Sequence, residues 1–544
     1  MAMSEKMSRL LKGDGGYKLL LCLFYLWMLV GVFPLHVTYE GDALCIIAGS
    51  STMYNQGWEV PPALSYQYGM QPIIIYMIVA VKHLLPFLSC NAIYSLLSAL
   101  MAMVLVPLSV AFVGRVTGIR RVLVLAALML LPETYAVATY PNSSVFAFVL
   151  AMAGFLLLVK GASPIKYFPL LCLAPLFRID VIIVYPVVFF LCLLQGKSLK
   201  RSVGLSVGAA VSVVAFMAVT YSLLKANPLA TLQHAQVMNN SGNLFTMVLI
   251  AIYSFYNTVN LLLLPIGIVC VLRLRRFRLF LVALAPIVLI HYFYRLNGGA
   301  AKHYLYLLPF VAIFTAHALR WLVGICRGHK AVRYACVTAL VLFFVVGLRF
   351  DIPGMPWRNG ATCVSKQGPF LSLFEDTKSK MHWQLGIGSS LGFFTEDELM
   401  MFSGHLFYPF YIHTVKASQR DHIRQVKAFL DSHAPRHYAV VVLTWTDFSL
   451  YPSLLMEEGY QRQVMMERVS KLTQGERAVL VLRNETDHDE GIITRALQQW
   501  RQLKSLDGIP IYVVTQSDSF IYQLDVLCGK SLCRKLMEGV YEVR

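Results

Sequence analysis

Long apolar runs recur along this chain from residue 17 to residue 349, and nothing else in the sequence limits its fold as strongly. A single hydrocarbon crossing takes about 20 apolar residues, and the backbone inside it must satisfy its own hydrogen bonds. The chain therefore reads as a polytopic α-helical membrane protein. Composition agrees: 57% of the 544 residues are hydrophobic and 14% are charged, where a soluble chain carries about a quarter. A soluble globular enzyme and a disordered chain are both excluded. The net charge of +18 does not point to nucleic acid. The first 350 residues hold 26 Lys and Arg against 7 Asp and Glu, while the last 194 hold 21 against 22. All the excess positive charge lies in the membrane part, where it reports topology.

About eleven spans are expected. The first run, 17–35, follows Lys6, Arg9, Lys12 and Lys18 and lacks a small-residue cleavage site, so it reads as a retained signal anchor. The others lie near 91–113, 122–139, 143–159, 167–177, 180–195, 202–224, 247–271, 279–294, 303–323 and 331–349. The segments 167–177 and 180–195 are short and carry Pro169, Pro175 and Pro186, so they are re-entrant or kinked.

The run 73–88 decides the topology. It is apolar, but Lys82 and His83 interrupt it and Pro86 ends it. If it lies flat as an interfacial amphipathic helix, the basic clusters all fall on one side. These are Lys6 to Lys18, Arg115/Arg120/Arg121, Lys160/Lys166, Lys197/Lys200/Arg201, Arg273/Arg275/Arg276/Arg278 and Arg327/Lys330/Arg333. Cytoplasmic loops hold such clusters. The expected N-terminus is then cytoplasmic and the C-terminal domain extracytoplasmic. Between residues 15 and 350 the acids are Glu40, Asp42, Glu59, Glu133 and Asp180, and this topology puts all five on or near the outer face. An acid within the bilayer costs roughly 2.5–3.5 kcal/mol on the insertion scale. That cost explains their rarity but not their gathering on one side, which points to a site.

The outer loop, within 36–90, opens on Thr38-Tyr39-Glu40-Gly41-Asp42 and runs through Tyr54-Asn55-Gln56-Gly57-Trp58-Glu59 to Tyr66-Gln67-Tyr68-Gly69 and Gln71-Pro72. Two carboxylates flanking a glycine at the membrane edge can hold a divalent metal through hard oxygens. They can equally work as a general base and the neighbour that tunes it. A solvated loop marking the membrane boundary fits the spacing as well.

This Glu-x-Asp pair in the first outer loop resembles the modified acidic motif of GT-C glycosyltransferases. The Tyr54-to-Gly57 turn and Pro72 opening a flat apolar helix agree with it. In layout the chain resembles the branch containing lipid A aminoarabinose transferases and protein O-mannosyltransferases. The resemblance implies transfer of a sugar from a polyprenyl-phosphate donor outside the cytoplasm, usually with inversion. It implies that Asp42 activates the acceptor hydroxyl with Glu40 as partner or metal ligand. A further acid is common in the family ahead of the fourth span. Here the chain reads Pro132-Glu133-Thr134-Tyr135, then Tyr140-Pro141-Asn142-Ser143, with Asn142 where Asp is looked for. An amide cannot act as a base, so either Glu133 takes over or Asn142 only binds hydroxyls. Glu59, Tyr66, Tyr68 and Gln71 are candidates to line the sugar pocket.

A departing lipid phosphate needs positive charge at the outer face. Outward cations are few: Lys82, Arg178, Lys225, Arg295, Lys302 and Arg349. Arg178-Ile179-Asp180 resembles the Arg-x-acid junction of these enzymes, and an internal Arg178–Asp180 pair closing a turn explains it equally. Lys302-His303-Tyr304-Leu305, running on to Leu308-Pro309, resembles the basic-Tyr-Leu-Leu-Pro start of a late span; interfacial anchoring is its plain alternative. Arg178, Arg295, Lys302 and His303 are the expected phosphate contacts.

Composition changes near Pro353, Gly354 and Pro356. The expected domains are 1–350, membrane-embedded and transferase-like, and 351–544, a soluble α/β domain. In the latter Tyr438–Trp445, Ala478–Arg483 and Pro510–Thr515 read as strands, and Arg420–Ser432 and Glu490–Leu506 as helices. No phosphate loop, hydrolase triad or metal-ligand spacing emerges there. Of the 11 cysteines, those in the spans read as small apolar packing residues, while Cys528 and Cys533 can bridge a short loop.

The leading expectation is a membrane glycosyltransferase using a polyprenyl-phosphate sugar and a lipid, glycan or protein acceptor. The sequence fixes no cofactor, although Mg or Mn can sit at Glu40 and Asp42. A bacterial inner membrane is the expected location, with the endoplasmic reticulum as the alternative. A lipid or oligosaccharide transporter or flippase would need mid-membrane ionisable residues and inverted repeats, and neither is visible. A lipid-linked glycan ligase shares the donor chemistry and stays open.

Overall fold

The computed structural model describes residues 14–32, 71–131, 134, 142–226, 257–294, 301–328, 424–434, 438–444, 462–465, 477–483, 510–514, 524–526, 528–529 and 533–543, with residues 46, 47, 49–51, 53, 54 and 58 of the first outer loop. The described residues within Met1–Pro34, Gly69–Pro72 and Ser95–Val415 form one compact unit, and those within Leu35–Tyr68, Ile73–Tyr94 and Lys416–Arg544 a second.

The helices are α1 (Asp14–Val32), α2 (Pro72–Leu84), α3 (Cys90–Thr117), α4 (Arg121–Met129), α5 (Ser143–Val159) and α6 (Pro164–Phe177). After a 3-10 turn at Ile179–Val184 come α7 (Val187–Leu194), α8 (Leu199–Leu223), α9 (Asn257–Arg273) and α10 (Phe277–Tyr294). A second 3-10 turn, Ala301–Leu307, leads into α11 (Leu308–Gly328). Among the described residues, Cys90–Thr117, Leu199–Leu223 and Tyr304–Cys326 are long and apolar enough to cross a membrane. Shorter apolar helices accompany them.

The run 180–195 is continuous in apolar character but not in structure. Pro169 and Pro175 are accommodated within α6, whereas the chain breaks between Arg178, which is extended at φ −165, and Pro186, which precedes α7. Pro186 has no N–H to donate, so it begins a helix more readily than it sits inside one. The run 73–88 forms the 13-residue α2. That helix is about 20 Å long, against about 30 Å of hydrocarbon. Its Ile74, Ile75, Ile78 and Val79 are buried, and Leu84 and Phe87 just beyond them are exposed.

Basic loop residues complete two open helix ends in the helical unit. Arg276 Nη1 donates to Thr117 O at 2.6 Å and Arg278 Nη1 to Leu193 O at 3.0 Å, at the C-terminal ends of α3 and α7. Terminal carbonyls lack partners within their own helix, and cations are favoured there. Gly118, Gly161 and Gly196 have positive φ (73, 78 and 78) just past α3, α5 and α7. A left-handed residue at that position stops a helix, and glycine adopts it without strain.

The core of this unit is a ring of aromatic and aliphatic side chains. Phe112 meets Phe310 edge-on with centroids 6.0 Å apart, Phe148 meets Tyr306 at 5.2 Å, and Phe280 lies 6.0 Å from Phe314. One polar bridge crosses it: Asn260 Nδ2 donates to Leu130 O at 2.6 Å, and Thr315 Oγ1 donates to Asn260 Oδ1 at 3.2 Å. Gly267 of α9 packs against the backbone of Phe314 in α11, in the manner of small residues at membrane helix interfaces.

In the second unit a helix at 424–433 precedes a six-stranded sheet. Its strands are β1 (Tyr438–Thr444), β2 (Arg462–Met465), β3 (Arg477–Arg483), β4 (Ile511–Val514), β5 (Cys533–Met537) and β6 (Val540–Val543). The order is β2-β3-β1-β4-β6-β5, with the first four parallel and β4/β6 and β6/β5 antiparallel. The β-branched runs form the buried centre, where Val440, Val513 and Val514 have no exposed surface. At the edge, β5 carries Arg534 and Lys535, charges of the kind that discourage pairing with another chain.

Candidate functional site

Away from the basic loops, a buried polar network ties together five segments of the helical unit. Asn142 caps α5: its Oδ1 accepts from Ser144 N at 2.9 Å, and its own N–H donates to Ser98 Oγ at 3.0 Å. The cap answers the question raised by an amide where an acid was looked for, since Asn and Asp are both favoured there. The Nδ2 of Asn142 is buried with no hydrogen-bond partner among the described residues.

Next along α5, the Ser143 hydroxyl donates to Gln71 Oε1 and accepts from Arg178 Nη1 at 3.3 Å. Arg178 is 2% exposed, and its Nε pairs with Asp180 Oδ2 at 2.9 Å. The other carboxylate oxygen, Asp180 Oδ1, accepts from the Tyr306 hydroxyl at 2.6 Å. Both sides of the Arg178–Asp180 ion pair are therefore engaged, as burial of two charges demands. Ser143 begins the 17-residue α5 and Lys160 follows its end. A helix of that length separates them by about 25 Å, so the network lies at the opposite end of α5 from its basic loop.

Three expected site residues meet here. Gln71, Asn142 and Arg178 converge on Ser143 and its neighbour. Lys302 and His303 belong to the same 3-10 turn as Tyr306, so the Asp180–Tyr306 bond anchors the segment that bears them. Glu40, Asp42, Glu59, Tyr66, Tyr68, Glu133 and Arg295 lie outside the described residues. Ser143, Tyr306 and Ser98 were not expected. Tyr306 had a signal, being two residues beyond the basic-Tyr pair; Ser98 and Ser143 had none, as single serines in apolar helices.

In the second unit, Lys82 Nζ donates to Pro86 O and Leu88 O, each at 2.6 Å, closing the turn after α2. The same ammonium lies 5.2 Å from the centre of the Tyr54 ring. His83 packs between Tyr54 (4.8 Å) and Trp58 (5.3 Å), and Trp58 stacks on Tyr76 at 6.2 Å. The segment bearing Tyr54 and Trp58 is thereby pinned to α2 by aromatic and cation–π contacts. Among the described residues no three His, Cys, Asp or Glu side chains come together to hold a metal.

This architecture has solved counterparts. The structure of ArnT from Cupriavidus metallidurans bound to undecaprenyl phosphate superimposes with a TM-score of 0.62, over 97% of this chain and 98% of that one. The fold is GT-C. The apo structure of the same ArnT gives 0.61 over the same shares, and sequence identity is 15% in both comparisons. No protein-family model and no curated protein matches the sequence. The likeness thus rests on three-dimensional arrangement, since 15% of the aligned residues are identical.

Proposed function

We propose that this protein transfers a sugar from a polyprenyl-phosphate-linked donor to an acceptor hydroxyl at the extracytoplasmic face of a bacterial inner membrane. The observation that carries the reading is the GT-C fold over 97% of the chain, shared with an ArnT whose structure holds undecaprenyl phosphate. The acidic pair Glu40-Gly41-Asp42 at the outer end of the first apolar run supports it.

In this reading Asp42 takes the proton from the acceptor hydroxyl while its oxygen attacks the anomeric carbon. The bond to the phosphate oxygen breaks on the opposite side, which inverts the configuration and leaves the phosphate on its polyprenyl chain. Glu40 is the partner of Asp42, and the pair also offers hard oxygens to a divalent cation. Glu133 is the second acid, and Glu59, Tyr66, Tyr68, Gln71 and Asn142 bind sugar hydroxyls. Arg295, Lys302 and His303 supply positive charge to the leaving phosphate. Arg178, already paired with Asp180, serves by holding the Tyr306 end of the Lys302–His303 segment.

The test compares cells carrying wild-type protein, Asp42→Asn protein and no protein, with mass spectrometry of polyprenyl-phosphate lipids and of lipid, glycan and protein acceptors. The expected result is an Asp42→Asn protein present at wild-type level, with one sugar missing from an acceptor and its lipid-linked donor accumulated, as in the null strain. An active Asp42→Asn protein would overturn the role of Asp42. A null strain whose donor is merely confined to the inner leaflet would replace transfer by flipping.

A further inference from the structure

Two thiols in the sheet unit face each other. The Sγ atoms of Cys528 and Cys533 are 2.9 Å apart. Cys533 opens edge strand β5, is 3% exposed, and directs its thiol also toward Leu524 O at 3.4 Å. Cys528 is half-buried on the segment that precedes the strand. That segment is held in place independently of the sulfurs: Asp525 accepts from Tyr541 Oη at 2.8 Å and from Lys535 Nζ at 3.2 Å. The six other described cysteines all lie in the helices, at Cys22, Cys90, Cys172, Cys192, Cys270 and Cys326.

We propose that Cys528 and Cys533 are joined as a disulfide in the mature protein, fastening edge strand β5 to the 524–529 segment. The bond has a use in that place. Among the described strands only β6 pairs with β5, and its register with β6 shifts between Lys535 and Met537. A covalent tie at its first residue holds a strand that the sheet secures on one side. Disulfides persist in oxidising compartments and are rare in the cytosol, so the bridge also assigns the sheet to the outer side of the membrane.

Formation is an exchange with a disulfide-bearing thiol oxidoreductase. The Cys528 thiolate attacks one sulfur of the partner's disulfide and releases the other as a thiolate. Cys533, deprotonated in turn, attacks Cys528 Sγ and displaces the partner's remaining sulfur. The two cysteines lose two protons and two electrons, and the partner leaves as a dithiol. Cys528 is the more accessible of the two, so it meets the partner, and the buried Cys533 resolves. Burial and the neighbouring Cys528 push the Cys533 thiol above its ordinary range, consistent with that later role.

The full-length protein is tested in cells quenched with N-ethylmaleimide before lysis, then digested with trypsin without reduction. Lys530 lies between the two cysteines, so cleavage there leaves two peptides joined only through sulfur. The expected result is a linked pair, two hydrogens lighter than the free peptides together, that separates on reduction and carries no maleimide. Maleimide on both Cys528 and Cys533 would overturn the proposal, as would a link that forms only in unquenched lysates. The readout is independent of sugar transfer, so it fails separately from the proposed activity.

Discussion

Replacing Gly267 by alanine perturbs the helical unit at a close backbone approach. A Cβ at that position would lie 2.0 Å from Phe314 O and 2.5 Å from Phe314 C, where ordinary contact begins at 3.4 Å. The obstacle is main chain, so α9 and α11 must part by about 1.4 Å, the difference between the two distances. The neighbouring bond from Thr315 Oγ1 to Asn260 Oδ1, 3.2 Å long, does not survive such a shift. Overpacking a core costs typically 1–3 kcal/mol, and a lost buried hydrogen bond adds about 1 kcal/mol. Together they lower the melting temperature by about 5–10 °C, taking a few degrees per kcal/mol. The assay is thermal inactivation of purified protein in detergent, followed by size exclusion. Gly204→Ala in α8 is the control, since nothing lies within 4 Å of that Cβ, and it should be neutral or slightly stabilising. Phe314→Ala should not rescue Gly267→Ala, because the clash is with backbone. A Gly267→Ala protein melting within a degree of wild type, or rescue by Phe314→Ala, would refute the reasoning.

Two further outcomes are expected. Asp180→Asn strips a buried Arg178 of its carboxylate and should cost about 3–5 kcal/mol, whereas Tyr306→Phe removes one bond to a charged group, about 1.5–3 kcal/mol. Membrane yield and melting temperature should therefore fall further for Asp180→Asn, and the reverse order would show that the ion pair does not hold this corner. In the sheet, burial and the hydrogen bond to Asp525 raise the Tyr541 phenol above its ordinary value of 10.0, and burial raises Tyr512 likewise. The native state keeps protons that the unfolded chain releases, so this stabilisation is complete below about pH 10 and declines as pH rises toward the raised values. Tyr541→Phe should flatten that alkaline loss when the full-length protein is probed by limited proteolysis of the sheet from pH 8 to 11. An unchanged slope would show that the phenol titrates elsewhere.

The apolar runs located most helices within a few residues: 143–159 is α5 (Ser143–Val159), 202–224 is α8 (Leu199–Leu223) and 279–294 is α10 (Phe277–Tyr294). Three strands were equally legible, because β1, β3 and β4 are apolar runs rich in β-branched residues, paired in parallel. Strands β2, β5 and β6 were not, being short or charged, and their pairing depends on neighbours far along the chain. The break between α6 and α7 was marked only as a cluster of prolines. Two of these fit inside α6, and the interruption follows Arg178, whose side chain turns to Asp180 and Ser143.

Sequence by itself determined which segments are apolar helices, where positive charge accumulates and that a Glu-x-Asp pair follows the first run, because transfer from water and charge placement are local properties of a segment. Tertiary structure alone decided that Gln71, Ser143, Arg178, Asp180 and Tyr306 form one network. These residues are scattered over more than two hundred positions. Their meeting depends on how closely helices approach, which contacts such as that of Gly267 with Phe314 set and no single segment encodes.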